Sequence, residues 1–351
     1  MSTCATLRLS RPALSLPRLA RHARRRSASA FAAPQTASVR SLPLPSSTTV
    51  DPHTLLKAEI AHVRTNLLNL LGFSHPTLSQ VAAYYFHHPS KLFRPLLVLL
   101  FSRATNGLGG HFPLKLWHVQ HARFSAEQFD APLSRPDAVS DFNPTMPDHT
   151  TSFNAPFDLH PPPTNTYPSP PASLCAEPAV ALSHTLLPTQ VRLAQIVEMI
   201  HMASILHDDV IDKSNLQHPA PSAPAAFGNK FTILGGDFLL GRASAALSRL
   251  GDNEAVELMA GVIANLAEGE ILQMKGAGEV DLSSLHGAPA HAEVPDRWNT
   301  YLRKTYLKSA SLIAKGARAA VVLGGCQEGE VWKEVAYAYG RNLGIAIQVG
   351  H

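Results

Sequence analysis

The segment LAQIVEMIHMASILHDDVID, residues 193–212, joins a long apolar run to three aspartates. Most residues between Leu193 and Leu206 are apolar, a pattern that predicts a helix buried nearly all round. Asp208 and Asp212 are four residues apart, so they would project from one face of that helix. Like charges at this spacing repel by roughly 0.2–0.5 kcal/mol, and by more in less polar surroundings. A bound cation would remove this repulsion, so the segment predicts a metal site.

The side chains of this cluster narrow the choice of metal. Carboxylate oxygens suit a hard cation such as Mg²⁺, which proteins typically hold through one or two carboxylates plus substrate phosphates. We therefore expect Asp208, Asp209 and Asp212 to bind Mg²⁺ together with a diphosphate, at the mouth of an apolar cavity.

The net charge of +4 arises from the N-terminal end of the chain. Residues 1–50 contain eight Arg and no Lys, Asp or Glu, which leaves 22 basic and 26 acidic residues in 51–351. This distribution gives no indication of a nucleic-acid surface. An Arg-rich, Ser-rich, acid-free leader is typical of an organelle transit peptide, and the alternative is a disordered basic tail. By analogy we expect a mitochondrial rather than a plastid destination.

Helical periodicity predicts an all-α domain over residues 51–351. The expected helices are 51–72, 77–88, 96–104, 189–212, 233–250, 253–275, 296–322 and 329–349, the third opening at Pro95. Residues 131–180 hold twelve of the 28 prolines and few charges, which predicts a proline-rich disordered insertion. No apolar run is long enough to span a bilayer.

Two basic clusters are candidate anion sites. In Ser90-Lys91-Leu92-Phe93-Arg94-Pro95, two cations stand at the start of a helix, where the helix dipole is already positive. An anion would stabilise this arrangement, although solvated loop residues would give the same pattern.

Lys304 and Lys308 share a predicted helical face, which would suit an anion, although a solvated surface also explains it. His201 lies seven residues before Asp208, nearly on its face, and is either a ligand-binding group or an ordinary core histidine.

Taken together, these motifs resemble those of the trans-polyprenyl diphosphate synthases, and are most similar to the long-chain mitochondrial members of fungi. The resemblance covers about residues 51–348 and includes the proline-rich insertion. Its motifs are Ser90–Pro95, His201–Asp212, Phe227-Gly228-Asn229-Lys230, Gly236-Asp237-Phe238-Leu239-Leu240, Glu268-Gly269-Glu270 and Lys308-Ser309-Ala310-Ser311-Leu312.

The resemblance implies a bundle of long helices around an apolar channel. It implies head-to-tail condensation of isopentenyl diphosphate onto an allylic diphosphate, giving a long-chain product for the ubiquinone side chain. Asp208, Asp209 and Asp212 would then bind Mg²⁺ on the allylic diphosphate, and Lys308 with Ser309 would steady the leaving diphosphate. The isopentenyl diphosphate site would use Lys91, Arg94 and His201, with Gln348 facing the pocket. Expected partners are a second copy or another synthase subunit, and a membrane surface for product release.

The sequence departs from the family pattern at two places. Gln217 and His218 stand where the family has an Arg pair, and the chain reads Val349-Gly350-His351 where the family continues into a second aspartate-rich motif and further helices. We therefore expect weak turnover by this chain alone. Two other functions stay open: a partner subunit of an active synthase, which these departures favour, and a class I terpene cyclase, which the Lys91/Arg94 cluster disfavours.

Overall fold

The aspartate-bearing segment folds as the central helix of an all-α bundle, as predicted. A computed structural model describes residues 51–72, 75–87, 92–121, 125–134, 168–171, 185–214, 216–217, 220–276 and 294–349. The predicted leader lies outside these ranges. Within them the only β structure is a short antiparallel pair, Leu216–Gln217 with Ala220–Pro221.

The described residues form thirteen α-helices. In chain order they are α1 (Pro52–Leu55), α2 (Lys57–Leu71), α3 (Pro76–Ala83), α4 (Phe93–Thr105), α5 (Phe112–Gln120), α6 (Ala126–Asp130), α7 (Pro188–Ile211), α8 (Ala223–Phe227), α9 (Asn229–Ser248), α10 (Asn253–Gly276), α11 (Val294–Thr305), α12 (Ser311–Leu323) and α13 (Val331–Val349). A 3₁₀ turn covers Tyr85–His87, and a π-helical turn, Tyr306–Ala310, joins α11 to α12. Across the described part of the chain, no helix combines the length and apolarity that a bilayer crossing requires.

Helix α7 lies at the centre because it is apolar on nearly every side. Leu193, Ile196 and Met199 are completely buried. The helix packs against α2, α4, α9 and α12, so each of its faces meets another helix. Burying one large apolar side chain stabilises the fold by about 1.5–3 kcal/mol, which makes α7 a major source of stability.

The N-terminal end of α7 is fixed by buried amide groups. Asn106 Nδ2 donates to Gln190 Oε1 at 2.9 Å, and Gln190 Nε2 donates to the carbonyl of Ala320 at 3.0 Å. The backbone N–H of Leu187 also donates to Gln190 Oε1, at 3.0 Å. These hydrogen bonds join the ends of α4 and α12 to the start of α7, and so fix the end of the bundle opposite the aspartates.

Several helices differ from the sequence-based expectations. The helix predicted over 51–72 is divided at Leu56 into α1 and α2. The helix predicted to open at Pro95 begins at Phe93, so Arg94 lies inside its first turn. The helix predicted over 296–322 is interrupted by the π-helical turn. Helices α5, α6 and α8 were not predicted, because segments of nine residues or fewer carry little periodic signal.

The beginning of the predicted insertion belongs to the packed fold. Leu133 is 1% exposed, and its N–H donates to the carbonyl of Leu70 at 3.1 Å. Ser134 Oγ accepts a hydrogen bond from Arg242 Nη2 at 2.8 Å. Residues 168–171 are exposed and have no regular secondary structure, and the rest of segment 131–180 lies outside the described residues.

Candidate active site

An apolar cavity of about 510 Å³ opens beside the C-terminal end of α7. Helices α7, α9 and α10 form its wall, together with Lys308 from the π-helical turn. Its polar lining groups are Ser204, His207, Asp208, Asp237, Glu270 and Lys308, and its apolar ones include Ile200, Leu240, Ile263, Leu266 and Met274. Apolar walls with a few convergent polar groups are typical of small-molecule sites.

Three charged groups meet at this cavity. Lys308 Nζ forms an ion pair with Glu270 Oε1 and lies 3.9 Å from Asp208 Oδ2. Burial raises the pKa of Asp208 to about 7; the ammonium of Lys308 opposes the rise and Glu270 adds to it. Two carboxylates thus share one ammonium, an arrangement that additional positive charge would stabilise.

Asp212 is linked to this cluster through Gln273. Gln273 Nε2 donates to Asp212 Oδ1 at 3.4 Å, and Gln273 Oε1 accepts from Lys308 Nζ at 3.1 Å. The structure therefore brings Asp208, Asp212 and Lys308 together. Glu270 and Gln273 were not predicted as site residues, although their spacing of three places both on one face of α10.

Asp209 faces away from this cluster. It is 4% exposed and accepts a hydrogen bond from the hydroxyl of Tyr85, which in turn accepts from the N–H of Ala223 at 2.8 Å. The sequence grouped Asp209 with the metal ligands, but adjacent helical residues point about 100° apart. Through the hydroxyl of Tyr85, Asp209 therefore links the 3₁₀ turn and α8 to α7.

Close backbone packing brings Lys308 against α10. A Cβ atom on Gly269 would lie 2.7 Å from Lys308 Cγ and 3.1 Å from its backbone nitrogen. Only a glycine allows this approach without displacing the π-helical turn. Single π turns inside α-helices are frequently found at functional sites, and this one carries the lysine of the site.

Arg94 and His201, two of the residues that the resemblance assigns to one diphosphate, are in contact where α4 packs against α7. Arg94 Nη1 lies 2.6 Å from His201 Nε2. Burial, together with the charge of Arg94, lowers the pKa of His201 well below its usual value, so His201 is the neutral acceptor of this contact. Neither residue lines the 510 Å³ cavity. Lys91, the third member of this predicted set, lies outside the described residues.

The remaining predicted residues are more peripheral. Ser309 Oγ donates to Gln348 Oε1 at 3.0 Å, and Gln348 is exposed and does not line the cavity. Lys304 also lies off the cavity, with its Nζ 5.9 Å from the ring centre of Tyr301. The backbone of Gln217 belongs to the short strand pair, and His218 lies outside the described residues.

The cavity wall below Asp208 includes a small side chain. Ser204 lines the cavity one helical turn before Asp208, whereas Ala203 is completely buried and does not line it. On the opposite side, His207 Nε2 lies 3.4 Å from Asp237 Oδ1 and 3.3 Å from the carbonyl of Ile233. Neither His207 nor Asp237 was assigned a role from the sequence.

The carboxylates present suit a metal ion whose remaining ligands are supplied by a bound substrate. Within the described residues, no three His, Cys, Asp or Glu side chains are placed to hold one ion among themselves. Asp208, which lines the cavity, and the exposed Asp212, one turn later and linked to Lys308 through Gln273, instead offer two carboxylates. A two-carboxylate set is what Mg²⁺ uses when phosphates supply its other ligands.

Comparison with known proteins gives the family. The sequence model described as polyprenyl synthetase matches residues 173–350. The mitochondrial hexaprenyl pyrophosphate synthase of Saccharomyces cerevisiae is 35% identical over 337 residues, which cover 85% of this chain and 67% of that protein. This chain belongs to the polyprenyl synthetase family.

Other members and solved structures agree with this assignment. A probable mitochondrial hexaprenyl pyrophosphate synthase of Neurospora crassa is 41% identical over 86% of this chain and 58% of its own length. The chain thus spans about three fifths of that relative. A decaprenyl diphosphate synthase from Rhodobacter capsulatus has a TM-score of 0.53 at 23% identity, covering 85% of this chain and 63% of that one. A Caulobacter crescentus polyprenyl synthase, complexed with calcium and isoprenyl diphosphate, has the same TM-score at 20% identity, covering 85% and 62%. These likenesses confirm the isoprenoid-synthase helical fold.

Proposed function

We propose that this protein condenses isopentenyl diphosphate head-to-tail onto an allylic diphosphate to make a long-chain polyprenyl diphosphate. The observation that carries the proposal is the meeting of Asp208 and Lys308 on the wall of an apolar cavity, with Asp212 linked to them through Gln273. One end of such a site suits an ionic head group and the other suits a hydrocarbon tail. Membership of the polyprenyl synthetase family supports the same substrates.

Asp208 and Asp212 are the residues that would hold Mg²⁺. When bound there, the metal supplies positive charge to the leaving diphosphate. Asp209 is a supporting residue in this proposal, because its carboxylate already accepts from Tyr85.

The chain's own residues carry the rest of the mechanism. Lys308 donates to the departing diphosphate as the allylic C–O bond breaks, which lowers the cost of the developing charge. The apolar wall, including Leu240 and Leu266, excludes water from the allylic cation. Arg94 and His201 hold the diphosphate of isopentenyl diphosphate, whose double bond attacks the cation. The resulting cation then gives up a proton to the released diphosphate, which restores a double bond.

The relatives support a long product and a mitochondrial site of action. Those from Neurospora crassa and Saccharomyces cerevisiae are named as mitochondrial hexaprenyl pyrophosphate synthases. The proposal therefore extends to a product for the ubiquinone side chain, made in mitochondria and released at a membrane surface.

The proposal also includes assembly with a second chain. A Schizosaccharomyces pombe relative, 34% identical, is named decaprenyl-diphosphate synthase subunit 1. Phe231 and Leu234, one turn apart on α9 and off the cavity, are 50% and 54% exposed, which is consistent with a helix face that contacts a partner. Light scattering of the purified protein, alone and mixed with a full-length synthase, distinguishes a homodimer from a heteromer.

The test is incorporation of radiolabelled isopentenyl diphosphate with farnesyl diphosphate and Mg²⁺, by the protein alone and with a full-length partner synthase. We expect Asp208→Ala and Lys308→Ala to lower incorporation by about 10²–10³-fold, the loss that follows removal of one preorganised electrostatic contact. Lys304→Ala is the matched control, since this lysine lies one turn away and off the cavity. No incorporation in either setting, or equal losses in all three variants, would overturn the proposal.

A further inference from the structure

A second cavity lies near the N-terminal end of α7, far from the aspartates. Its volume is about 170 Å³, and α2, α6 and α7 contribute most of its lining. Arg192, which lines it from α7, lies sixteen residues before Asp208, or about 24 Å away along the helix axis. The cavity is therefore separate from the candidate active site. It is also too small for a polyprenyl chain, since pockets for larger organic ligands usually measure about 300–1,000 Å³.

Two side chains in this cavity carry buried hydrogen-bond donors without acceptors. Arg192 is 3% exposed and Gln195 is 1% exposed, and their spacing of three residues places them on one face of α7. Arg192 Nη1 and Gln195 Nε2 are both buried and have no hydrogen-bond partner among the described residues. Because a buried donor without an acceptor is costly, the two groups indicate a ligand that supplies acceptor atoms.

Arg192 is also a buried charge that lacks a close counter-ion. Its guanidinium carbon lies 5.8 Å from the ring centre of Phe129. None of the ion pairs formed within the described part of the chain includes it. Burial lowers the pKa of Arg192 to about 10, with Asp130 opposing this and Arg249 adding to it, so the guanidinium stays charged at neutral pH. A negatively charged ligand would compensate this charge.

The carboxylate that lines the cavity, Asp130, is occupied by other groups. Its Oδ1 accepts a hydrogen bond from Asn66 Nδ2 at 2.8 Å and lies 3.4 Å from His62 Nε2. The side chains of Asp130 and His62 are 35% and 45% exposed, so they form the solvent side of the cavity. The cavity thus has a polar rim and an enclosed wall that bears the two donors.

We propose that this cavity is a binding site for a small oxyanion, either a phosphate or a carboxylate, that accepts hydrogen bonds from Arg192 and Gln195. A guanidinium fork matches the paired oxygens of both groups, and the amide of Gln195 donates to a further lone pair. Water would accept the same hydrogen bonds but would leave the charge of Arg192 uncompensated. Since the site lies far from the reacting groups, its occupant stabilises the folded protein and takes no part in condensation.

The experiment titrates sodium phosphate and sodium acetate separately into the full chain by calorimetry, without Mg²⁺ and at an ionic strength held constant with sodium chloride. We expect saturable binding and a melting temperature that rises with anion concentration. Arg192→Met should lower the affinity by about 10- to 100-fold, because it removes a hydrogen bond from a charged group. Gln195→Leu should lower it by about 2- to 10-fold, and it is an independent test if Arg192→Met does not fold.

Two controls separate this cavity from other anion sites. Arg341→Met removes an exposed arginine that lies off the cavity and contacts Asn342, so it should leave the affinity unchanged. Lys308→Ala removes the ammonium of the candidate active site, so any anion bound there should be lost while binding beside Arg192 persists.

The outcomes decide whether the site exists and which anion it takes. Saturable binding that Arg192→Met and Gln195→Leu weaken supports the site, and the tighter of the two anions gives its chemical class. A response no larger than that to chloride would show that water fills the cavity, and the proposal would be wrong. Binding that survives Arg192→Met, or that disappears in Lys308→Ala, would place the anion elsewhere and would also overturn it.

Discussion

Asp208 and Asp209 are neighbours in sequence but have different surroundings. Asp208 faces the cavity and Lys308, whereas Asp209 is enclosed and accepts from Tyr85. Ser204 and Ala203 are separated in the same way, one lining the cavity and the other completely buried. At the scale of single residues, the direction of each side chain on α7 decides whether it lines the cavity or supports the fold.

Enlarging Ser204 should shorten the product. A phenyl ring in Ser204→Phe would cross the cavity one turn below Asp208, where the growing tail must pass. A ring in Ala203→Phe, at the neighbouring enclosed position, should instead cost about 1–3 kcal/mol of stability through overpacking. Product chromatography and thermal unfolding of both variants check this. An unchanged product length for a folded Ser204→Phe would contradict it.

The buried carboxyl of Glu198 predicts a pH dependence of stability. Its pKa is raised from 4.5 to about 7, so the folded state binds this proton more tightly than the unfolded state. Its contribution to stability is fully present below about pH 4.5 and is lost as the pH rises through about 7. The lowered pKa of His201 acts in the opposite direction as the pH falls below 6.5.

Comparing the unmodified protein with Glu198→Gln isolates the contribution of Glu198. The difference in melting temperature between the two proteins should shift in favour of Glu198→Gln as the pH rises from about 4.5 to about 7. Thermal unfolding across this range measures it. A difference that does not vary with pH would show that Glu198 does not titrate there.

At the scale of secondary-structure elements, the site depends on how closely α10 approaches the π-helical turn. Glu270 and Gln273 reach Lys308 because Gly269 lets the two backbones come together. The sequence marked residues 268–270 as a motif, but it could not show which helix they contact. Helix positions follow from local periodicity, whereas the distance between two helices depends on side chains far apart in the chain.

Gly269→Ala should push α10 away from Lys308. Its Cβ would lie 2.7 Å from Lys308 Cγ and 3.2 Å from Leu307 Cβ, so we expect a stability loss of about 1–3 kcal/mol and reduced incorporation of isopentenyl diphosphate. Gly241→Ala is the matched control, because its Cβ would meet no atom within 4 Å. In that open helical position, alanine should stabilise the helix by up to about 1 kcal/mol. Similar effects of both substitutions would argue against the close-packing explanation.

At the scale of the whole molecule, composition and periodicity predicted the all-α class and most of the long helices. They succeeded because a buried helix needs apolar residues on nearly every face, as α7 shows between Leu193 and Leu206. They did not reveal the π-helical turn or the inward packing of Leu133, since neither has a periodic signature. The pairing of Arg94 with His201 was implied only by resemblance, because the contact joins two helices that lie far apart in the chain.

The targeting role of residues 1–50 is a prediction about the whole chain, because it concerns where the protein is sent in the cell. Residues 1–50 carry eight Arg and no acidic residue, so a reporter fused to this segment should reach mitochondria. Fluorescence microscopy with a mitochondrial marker measures the localisation, and a fusion with all eight arginines replaced by glutamine is the control. A diffuse cytosolic signal from the unmodified fusion would contradict the prediction.

The π-helical turn also affects how this protein can vary. Such a turn takes up one residue more than a regular helical turn, so it offsets the register of α12 from that of α11 by one position. Leu307 and Ala310 are buried within the turn, on either side of Lys308 and Ser309. An insertion or deletion here would therefore move the lysine and disturb buried packing at the same time. The position of Lys308 and the register of its scaffold are thus linked, so the length of this stretch should vary little among proteins that keep the lysine.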